Sequence, residues 1–451
     1  MAILKQVGAR LRGGKTASYT TSQWVFKKGS AARVCAVVST MVLPRSITPP
    51  SLSGAPDDPS RAISGEAAAG SSPLGGEDQR RTPTPRPGVL DIEPYVGGKS
   101  KTAFDGPIHK LSSNESALGA SPKAVSAFQS AAETLALYPD GGVSALRRKI
   151  ADVHGLDPDL VICGAGSDEI LQLLCRAYLT DGDNIVQSAH GFLVYALAAK
   201  ACGAQVHFAP ETDLTADVDA LLAVVDARTR LVFVANPNNP TGTWLPASEI
   251  ARLRAGLRPD IILVIDAAYA EYMDDEAYDA GADLVSAHNN VIMTRTFSKI
   301  YGLGALRLGW GYGPPAIIDA LNRIRGPFNV SAAAQLAGEA AMADQDFVRQ
   351  NREHNASERA IMFQRLQGIG SQETRLSVVP SAGNFLLVKF PDTEGKRAHD
   401  VLEWLMDRGV IVRAMDAYGL GDYLRISIGS SAANRRLLDL LTERFCDEMS
   451  P

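Results

Sequence analysis

Between residues 160 and 311 the chain alternates short apolar runs with stretches of helical pattern, and this alternation restricts the possible fold strongly. Seven runs have the pattern of strands: 160–163, 184–186, 204–208, 231–234, 261–265, 291–293 and 308–311. Continuous runs rich in β-branched residues are typical of strands that are buried on both faces. The sequence therefore predicts an α/β domain with a mostly parallel, seven-stranded sheet flanked by helices.

The chain on either side of these runs predicts a second, smaller unit. After about residue 325, long helical stretches mix with two strand-like runs at 384–388 and 423–428. We predict a smaller α+β domain formed by both chain ends. The expected division is an extension over 1–88, the N-terminal part of the small domain over 89–135, the large domain over 136–322 and the C-terminal part of the small domain over 323–451.

The first 88 residues differ in composition from the rest. No Asp or Glu precedes Asp57, although basic residues are frequent, and Pro, Gly, Ser and Ala dominate residues 47–87. Such a composition buries too little apolar surface to offset the entropy of ordering. The basic start resembles an organelle transit peptide. An over-extended gene start or a disordered tail is the interpretation we favour over import.

Composition, hydropathy and cysteine spacing predict a soluble intracellular protein, which we expect in the cytoplasm. The 451 residues include 45% apolar and 21% charged residues, with a net charge of −5, which gives no indication of nucleic acid or membrane as a partner. No segment has the roughly 18 consecutive apolar residues of a membrane span. The five cysteines are scattered, without a CxxC pair or a spacing typical of metal ligands. We predict reduced thiols and no metal.

Polar residues follow several of the predicted strands, at the sheet edge where α/β proteins bind ligands. After 160–163 comes a glycine-rich turn, in which Gly166, Ser167 and Asp168 open a helix whose N–H groups could hold an anion. Glycines in such a turn could also serve its geometry alone. After 231–234 a loop dense in Asn and Pro contains Asn239, which could hold an amide against a ligand oxygen.

Asp266 directly follows the apolar strand 261–265, and Lys299 lies in the polar turn that follows the strand 291–293. A carboxylate at the end of a buried strand is costly unless a cation pairs with it, and a helix N-cap is the equally weighted alternative. A lysine there could be a snorkelling side chain, but buried lysines also perform Schiff-base chemistry. Pyridoxal phosphate uses a lysine, a carboxylate at its ring nitrogen and an anion site for its phosphate. One cofactor therefore accounts for all these strand ends.

Three motifs carry a resemblance to a known family. They are Asn-Pro-Asn-Asn-Pro-Thr-Gly (236–242), Asp-Ala-Ala-Tyr-Ala-Glu-Tyr (266–272) and Thr-Phe-Ser-Lys (296–299) with Arg307 eight residues further on. Together they resemble the aspartate-aminotransferase fold type I. Further segments make the chain similar to histidinol-phosphate aminotransferases: 111–115, 138–141, 164–169, 409–413 and 423–429. The similarity covers about residues 88–445.

The resemblance implies a role for each cofactor-site residue. Lys299 would bind pyridoxal 5'-phosphate covalently and then move the substrate's proton, and Asp266 would keep the ring nitrogen protonated. Tyr269 and Asn239 would bind the ring oxygen, and Phe192 would stack on the ring. The phosphate ligands would be Gly166, Ser167, Asp168, Thr296, Ser298 and Arg307, with Tyr138 from a partner subunit. That last contact implies a homodimer with shared active sites.

The resemblance also implies the substrate site and the reaction. Arg425 and Arg413 would bind anionic groups, Tyr95 would add a contact from the partner chain, and Asn384 would lie near the substrate. The implied reaction transfers an amino group between histidinol phosphate and 2-oxoglutarate in histidine biosynthesis. The alternatives are an aromatic amino-acid aminotransferase, a phosphothreonine-type decarboxylase of the same fold, and a cofactor-binding protein without catalysis.

Two segments depart from the family pattern. Ser116-Ala117 follows Asn114-Glu115 where a proline is usual, and His190-Gly191 precedes Phe192 where Pro-Thr-Tyr is usual. The first departure concerns the entrance of the site and the second concerns the stacking residue. We interpret His190 as a structural loop histidine.

Overall fold

The structure, a computed structural model, describes residues 85–86, 88–93, 97 and 101–446. Most of the predicted 1–88 extension and Tyr95 lie outside the described residues. Among the helices that the structure describes, none combines the length and apolarity needed to cross a membrane.

Strands and helices alternate along most of the described chain. The strands are β1 His109–Lys110, β2 Val161–Gly164, β3 Asn184–Ser188, β4 Gln205–Ala209, β5 Glu211–Thr212, β6 Thr215–Ala216, β7 Thr229–Ala235, β8 Ile262–Asp266, β9 Val291–Thr296, β10 Gly309–Tyr312, β11 Ser377–Val379, β12 Phe385–Lys389, β13 Val410–Ile411, β14 Arg413–Ala414 and β15 Tyr423–Ser427. The α-helices are α1 Pro122–Ser130, α2 Ser144–His154, α3 Ser167–Tyr178, α4 Leu193–Ala201, α5 Val218–Ala223, α6 Ala247–Gly256, α7 Ala282–Ala287, α8 Pro315–Ile324, α9 Ala332–Ala343, α10 Gln345–Gln367, α11 Ala398–Met406 and α12 Ser431–Cys446. Short 3-10 helices lie at Ala131–Thr134, Pro158–Leu160, Ala270–Tyr272, Gly304–Leu306 and Asp416–Tyr418.

The predicted seven-stranded sheet is confirmed. Its strand order is β2-β10-β9-β8-β7-β3-β4. The pairs along β9-β8-β7-β3-β4 are parallel, whereas β10 runs antiparallel to both β2 and β9. A parallel return from β9 would need a crossover helix, but only a short 3-10 turn lies between β9 and β10. The antiparallel strand follows from that short connection.

Both faces of this sheet are buried, which is why its strands are continuously apolar. In β8, Leu263 and Ile265 belong to one apolar cluster, and Ile262 and Val264 belong to another. Successive side chains of a strand point to opposite faces, so the two clusters lie on the two sides of the sheet. The loops at its edge are therefore held by strands that are fixed on both faces.

A four-stranded antiparallel sheet of order β11-β12-β15-β14 forms the smaller α+β part. Its strands contribute to an apolar cluster of their own with residues of α11 and α12. The segment β1, which precedes the large sheet in the chain, pairs in parallel with β13 near the other end. These pairings confirm the predicted fold class of the smaller part, which is α+β and includes segments from both ends of the described chain. The domain bounds at residues 88, 135 and 322 stay a prediction.

Candidate active site

The carboxyl ends of β2, β7, β8 and β9 meet at one edge of the large sheet and open into a cavity of about 180 Å³. The register aligns the strand ends, because Asp266 pairs with Ala235 on one side and with Thr294 on the other. The lining residues are Ser112, Ser113, Asn114, Ser167, Asp168, Phe192, Ala235, Pro237, Asn239, Asp266, Ala268, Tyr269, Thr296, Ser298, Lys299, Arg307, Arg413, Tyr418 and Arg425. Most of the residues predicted from strand ends therefore share one cavity.

Lys299 is half-buried in the turn that follows β9. Its neighbours Phe297 and Ile300 are fully buried in the core, which fixes the turn on both sides of the lysine. The Nζ atom lies 3.5 Å from the carbonyl oxygen of Ser113 and 5.8 Å from the centroid of the Tyr269 ring. The amine is thus held inside the cavity and not at the outer surface.

Asp266 is the last residue of β8 and only 4% exposed. Its carboxylate accepts hydrogen bonds from the Tyr195 hydroxyl at 2.7 Å and the Thr294 hydroxyl at 3.1 Å. Burial raises the pKa of this carboxyl to about 6, although both hydrogen bonds favour the charged form. The N-cap alternative is wrong, because the next helical turn begins at Ala270. Two hydroxyls, and no cation, donate to the carboxylate within the described chain.

Tyr269 and Asn239 face the cavity with part of their hydrogen-bonding capacity already used. The Tyr269 hydroxyl accepts from the Asn114 side-chain amide at 3.0 Å. The Asn239 side-chain oxygen accepts a short hydrogen bond from Arg425. A hydroxyl that accepts can still donate its proton, and an amide whose oxygen is engaged keeps two N–H donors. Both groups can therefore donate to an oxygen placed in the cavity.

An anion site is formed where α3 begins. Gly166 precedes Ser167 with a φ of +83°, a conformation in which a side chain would be strained. Gly309 in the adjacent β10 must also be a glycine, because a Cβ atom there would lie 2.1 Å from the Ser167 nitrogen. The free N–H groups and the dipole of α3 favour an anion at this position.

Arg307 supplies the positive charge beside this helix start. Its guanidinium donates to the Ser298 hydroxyl at 3.2 Å and to the Asp168 carboxylate at 3.1 Å. Thr296 accepts from the Ser298 backbone nitrogen at 3.1 Å, which orders the same turn. The cation and the hydroxyl donors therefore converge on the N-terminus of α3.

The two predicted substrate arginines lie opposite each other on neighbouring strands. Arg413 of β14 pairs in register with Arg425 of β15. Arg425 is buried, donates to the carbonyl oxygen of Ser112 at 3.2 Å, and lies 5.4 Å from the centroid of the Phe385 ring. Both arginines line the cavity, so the smaller sheet supplies its second wall.

Three predicted residues that the structure describes, Gly166, Asn384 and Tyr138, do not line the cavity. Asn384 donates to the carbonyl oxygens of Asn114 and Glu115 at 3.0 and 3.3 Å, so it supports the cavity wall from behind. Tyr138 is 83% exposed and stacks on Phe328 at a centroid distance of 4.7 Å. Tyr95 lies outside the described residues.

Other residues of the site were not assigned a role from the sequence. Tyr195 and Thr294, which bind Asp266, place hydroxyl groups in or directly after apolar segments, and these hydroxyls are the signal that could have found them. Asn114 lies in one of the motifs used for the resemblance. Tyr418 lines the cavity from a 3-10 turn and has no signal in the sequence.

Phe192 and His190 lie in the same loop with different surroundings. Phe192 lines the cavity and contacts Tyr195 edge to face, with ring centroids 5.7 Å apart. His190 binds Glu211 through its backbone nitrogen at 3.0 Å and its ring Nδ1 at 2.7 Å. These contacts fit the structural role that we predicted for His190.

The thiols and possible metal ligands of the described residues give no further site. Cys163, Cys175 and Cys202 are free and buried. Burial raises the pKa of Cys163 to about 12, which keeps its thiol protonated. No group of His, Cys, Asp and Glu residues within the described ranges is arranged to hold a metal ion.

Comparisons with known proteins agree with this geometry. The family model of aminotransferase class I and II matches residues 107–441. The chain is 53% identical to a histidinol-phosphate aminotransferase of Maricaulis maris over 79% of its length and 98% of that protein. It is 54% identical to the enzyme of the same name from Rhodospirillum rubrum over 80% of its length and 96% of that protein.

A solved structure shares the fold. The histidinol-phosphate aminotransferase of Sinorhizobium meliloti, solved in complex with pyridoxal-5'-phosphate, has a TM-score of 0.72 and 28% identity. The match covers 83% of this chain and 99% of that one. The protein is a member of the aminotransferase class I and II family.

Proposed function

We propose that this protein transfers an amino group between L-histidinol phosphate and 2-oxoglutarate, giving imidazole acetol phosphate and L-glutamate, in histidine biosynthesis. The observation that carries the proposal is the convergence of Lys299, Asp266, Tyr269 and two arginines on one cavity. Relatives that are 50–54% identical and named histidinol-phosphate aminotransferases support the choice of substrate.

The cavity fits pyridoxal phosphate, which the Sinorhizobium meliloti relative contains. Asp266 is buried without a cation in hydrogen-bonding contact among the described residues, and its pKa is raised to about 6 by that burial. A protonated pyridine nitrogen is the cation that this carboxylate lacks. The start of α3, Ser298 and Arg307 offer N–H, hydroxyl and guanidinium donors to a phosphate. The lining of the cavity therefore offers a carboxylate for the ring nitrogen and donors for the phosphate of the cofactor.

Bound pyridoxal phosphate supplies an electron sink for the pair of electrons left when a substrate Cα loses its proton. Asp266 would keep the ring nitrogen protonated, and Tyr195 and Thr294 orient its carboxylate for that contact. Ionisation of Asp266 becomes favourable in such a complex, because a nearby positive charge stabilises the carboxylate.

Lys299 would hold the cofactor covalently and then act as the acid and base of the reaction. Its Nζ would then take up and return the proton at the substrate Cα. A general acid–base group must lie within hydrogen-bonding reach of the proton it moves. The anchoring of its turn by Phe297 and Ile300 restricts Nζ to the cavity and supports this role.

Tyr269 and Asn239 would donate hydrogen bonds to the cofactor's ring oxygen. The Tyr269 hydroxyl already accepts from Asn114, which leaves its proton directed elsewhere. The Asn239 oxygen already accepts from Arg425, which leaves its NH₂ group available. Two donors at one oxygen stabilise negative charge there and so help to set the pKa of the lysine-bound cofactor.

Arg425 and Arg413 would bind the anionic ends of the two substrates. A guanidinium is a planar fork that binds a carboxylate or a phosphate through two hydrogen bonds. The two substrates react in turn at one site, so the same wall must accept the phosphate of histidinol phosphate and the carboxylates of 2-oxoglutarate. Two neighbouring arginines suit this double requirement. Tyr95 would add a contact from a partner subunit.

A second copy of the chain would complete the site, with Tyr138 reaching the partner's cofactor phosphate. Tyr138 is 83% exposed, and Leu135 and Leu137 beside it are 82% and 68% exposed. Phe328, which stacks on Tyr138, is half exposed. Contiguous apolar side chains at a surface are typical of protein–protein interfaces. A homodimer in the cytoplasm is the assembly and location that we propose.

The test is a substrate panel on the purified protein loaded with pyridoxal phosphate. We expect kcat/KM for histidinol phosphate, with 2-oxoglutarate as acceptor, to exceed the values for phenylalanine and tyrosine by about 100-fold or more. The only anionic group of these amino acids is a carboxylate, whereas a phosphate offers the two arginines more charge and more acceptor oxygens. A preference for phenylalanine or tyrosine would contradict the substrate assignment. Release of carbon dioxide from O-phosphothreonine would indicate the decarboxylase instead.

A further inference from the structure

A buried ion pair lies behind the cofactor side of the cavity. Arg295 of β9 and Glu271 of the 3-10 helix Ala270–Tyr272 are 8% and 6% exposed, and Nη2 of Arg295 lies 3.1 Å from Oε1 of Glu271. Arg295 stands between Thr294 and Thr296, whose side chains serve Asp266 and the cavity wall. Because side chains alternate along a strand, Arg295 points to the opposite face of β9.

Other side chains enclose this pair. The Arg295 guanidinium lies 5.5 Å from the centroid of the Trp310 ring, and its Nη1 lies 3.5 Å from Nδ1 of His154. Burial and the positive charge of Arg295 lower the pKa of His154 to about 3, so its ring is neutral and can accept from the guanidinium. Arg352 of α10 donates to the backbone oxygen of Glu271 at 2.7 Å. The site of the pair is therefore fixed from α2, α10 and β10.

Stability alone is a weak reason for such a pair. The desolvation of two charges often cancels their attraction, and apolar side chains of similar size can replace a buried pair without loss. Glu271 and Arg295 do, however, connect two segments that both contribute to the site. Tyr269 precedes Glu271 by two residues, and Arg295 is flanked by the two threonines.

Side chains connect the turn that carries Tyr269 to β9, since the backbone hydrogen bonds between the two segments end earlier. The last backbone hydrogen bond from the β8 segment to β9, within the part of the chain that the structure describes, joins the Ala267 nitrogen to the Thr294 oxygen at 2.9 Å. After Ala267 the chain bonds to itself, from Ala270 to Ala267 and from Tyr272 to Tyr269. Beyond this point the Glu271 side chain provides a charged contact between the turn that carries Tyr269 and β9, in addition to apolar packing.

We propose that the Glu271–Arg295 ion pair is a positioning device that fixes the Tyr269 hydroxyl relative to Asp266 and β9. The proposal rests on the proposed function, in which Tyr269 binds the cofactor's ring oxygen. A displaced hydroxyl would donate a poorer hydrogen bond to that oxygen and would alter the titration of the lysine-bound cofactor. Neither Glu271 nor Arg295 lines the cavity, so the pair acts through Tyr269 and not on the substrate.

The test compares E271M, R295M and the double variant E271M/R295M with the wild type. Each single variant leaves one buried charge without its partner, so we expect a lowered Tm, and we expect the double variant to recover most of that loss. Although the double variant regains stability, we expect its pH midpoint of the cofactor absorbance to differ from the wild-type value. We also expect kcat to fall about 10-fold to 100-fold, as for a misplaced catalytic group. KM for the amino donor stays within about twofold of the wild type, since the arginine wall is untouched.

Two controls separate positioning from a general effect. The double variant D346M/R349M removes an exposed ion pair on α10, whose atoms lie 2.8 Å apart, and should keep the wild-type midpoint and kcat. In a Tyr269→Phe background, E271M/R295M should produce no further midpoint shift, because the group through which the pair acts is absent. Glu271→Asp shortens the connection but keeps both charges, and should shift the midpoint in the same direction while the protein stays folded.

The proposal would be overturned if the folded E271M/R295M protein kept the wild-type pH midpoint of the cofactor absorbance and the wild-type kcat. If the double variant does not fold, the same result with E271D would overturn it. A midpoint shift of equal size in the Tyr269→Phe background would also overturn it, since the pair would then act by another route. A wild-type protein without any absorbance of lysine-bound cofactor would contradict the proposed function itself. These outcomes are distinguishable in one set of spectra.

Discussion

The two walls of the cavity are built in different ways. The cofactor wall consists of loops that leave neighbouring strands of one seven-stranded sheet, and it carries Lys299, Asp266 and Arg307. The substrate wall comes from β14 and β15 of the smaller sheet and carries Arg413 and Arg425. The Asn239–Arg425 hydrogen bond joins the walls. Cofactor binding and substrate binding should therefore respond to different substitutions, with this contact as their link.

The largest expected effect is on the cofactor wall, at Lys299. We expect Lys299→Ala to lower kcat by about 10³-fold or more, because both covalent attachment and the acid–base group are lost. The variant should still bind pyridoxal phosphate non-covalently through the rest of that wall. Equilibrium dialysis and steady-state rates measure both quantities. Lys389→Ala removes an exposed lysine that is paired with Asp422 at 3.3 Å and is the matched control. Full activity in Lys299→Ala would contradict the catalytic role assigned to Lys299.

On the substrate wall, Arg425→Met should lower kcat/KM by about 10²-fold or more, since it removes a buried charged donor to the substrate. Cofactor affinity should change much less, which is the separation that the two-wall comparison predicts. Arg436→Met on the exposed side of α12 serves as the control. Equal losses in cofactor affinity and in kcat/KM would show that the walls are not separable.

The pH dependence of the cofactor-free protein tests the burial of Asp266. Burial raises the pKa of Asp266 from 3.8 to about 6, so the folded state binds a proton more tightly than the unfolded state. The stabilisation is complete below pH 4 and is lost as the pH rises through 6, by about 3 kcal/mol. Asp266→Asn lacks this loss. Chemical denaturation at pH 4 and 8 should show wild type losing about 2.4 kcal/mol more stability than the variant. Parallel pH profiles would contradict a buried carboxyl.

The smallest expected effect concerns the anion site. Arg307→Met should weaken the binding of pyridoxal phosphate about 10-fold to 100-fold, because a charge-assisted hydrogen bond at a half-exposed site contributes about 1.5–3 kcal/mol. At saturating cofactor, KM for the amino donor should remain near the wild-type value. A change in substrate KM with unchanged cofactor affinity would show that Arg307 binds the substrate and not the cofactor phosphate.

The two walls also differ in what the sequence could predict. Lys299, Asp266 and the Gly166–Asp168 turn each interrupt the pattern at the end of an apolar strand, and strand ends of a parallel sheet meet at one edge. Their proximity therefore followed from the fold class. Arg425 lies inside β15 among residues of ordinary strand pattern. Only the resemblance to a family placed it near the substrate.

Long-range side-chain contacts account for what the sequence did not predict. Tyr195 of α4 reaches Asp266 of β8, a contact 71 residues apart in the chain. Asn384, which was expected near the substrate, donates to the carbonyl oxygen of Asn114, a contact 270 residues apart in the chain that no sequence pattern predicted. Sequence periodicity and local motifs do not show how distant segments pack, and this packing decides which polar side chains face the cavity.

One measurement tests most directly whether the two walls act together as a transaminase. Histidinol phosphate is added to the cofactor-loaded protein without any 2-oxo acid, and the absorbance of the lysine-bound cofactor is followed. We predict loss of that absorbance, one cofactor for each amino group transferred, and its return on addition of 2-oxoglutarate. An unchanged spectrum after both additions would contradict the account.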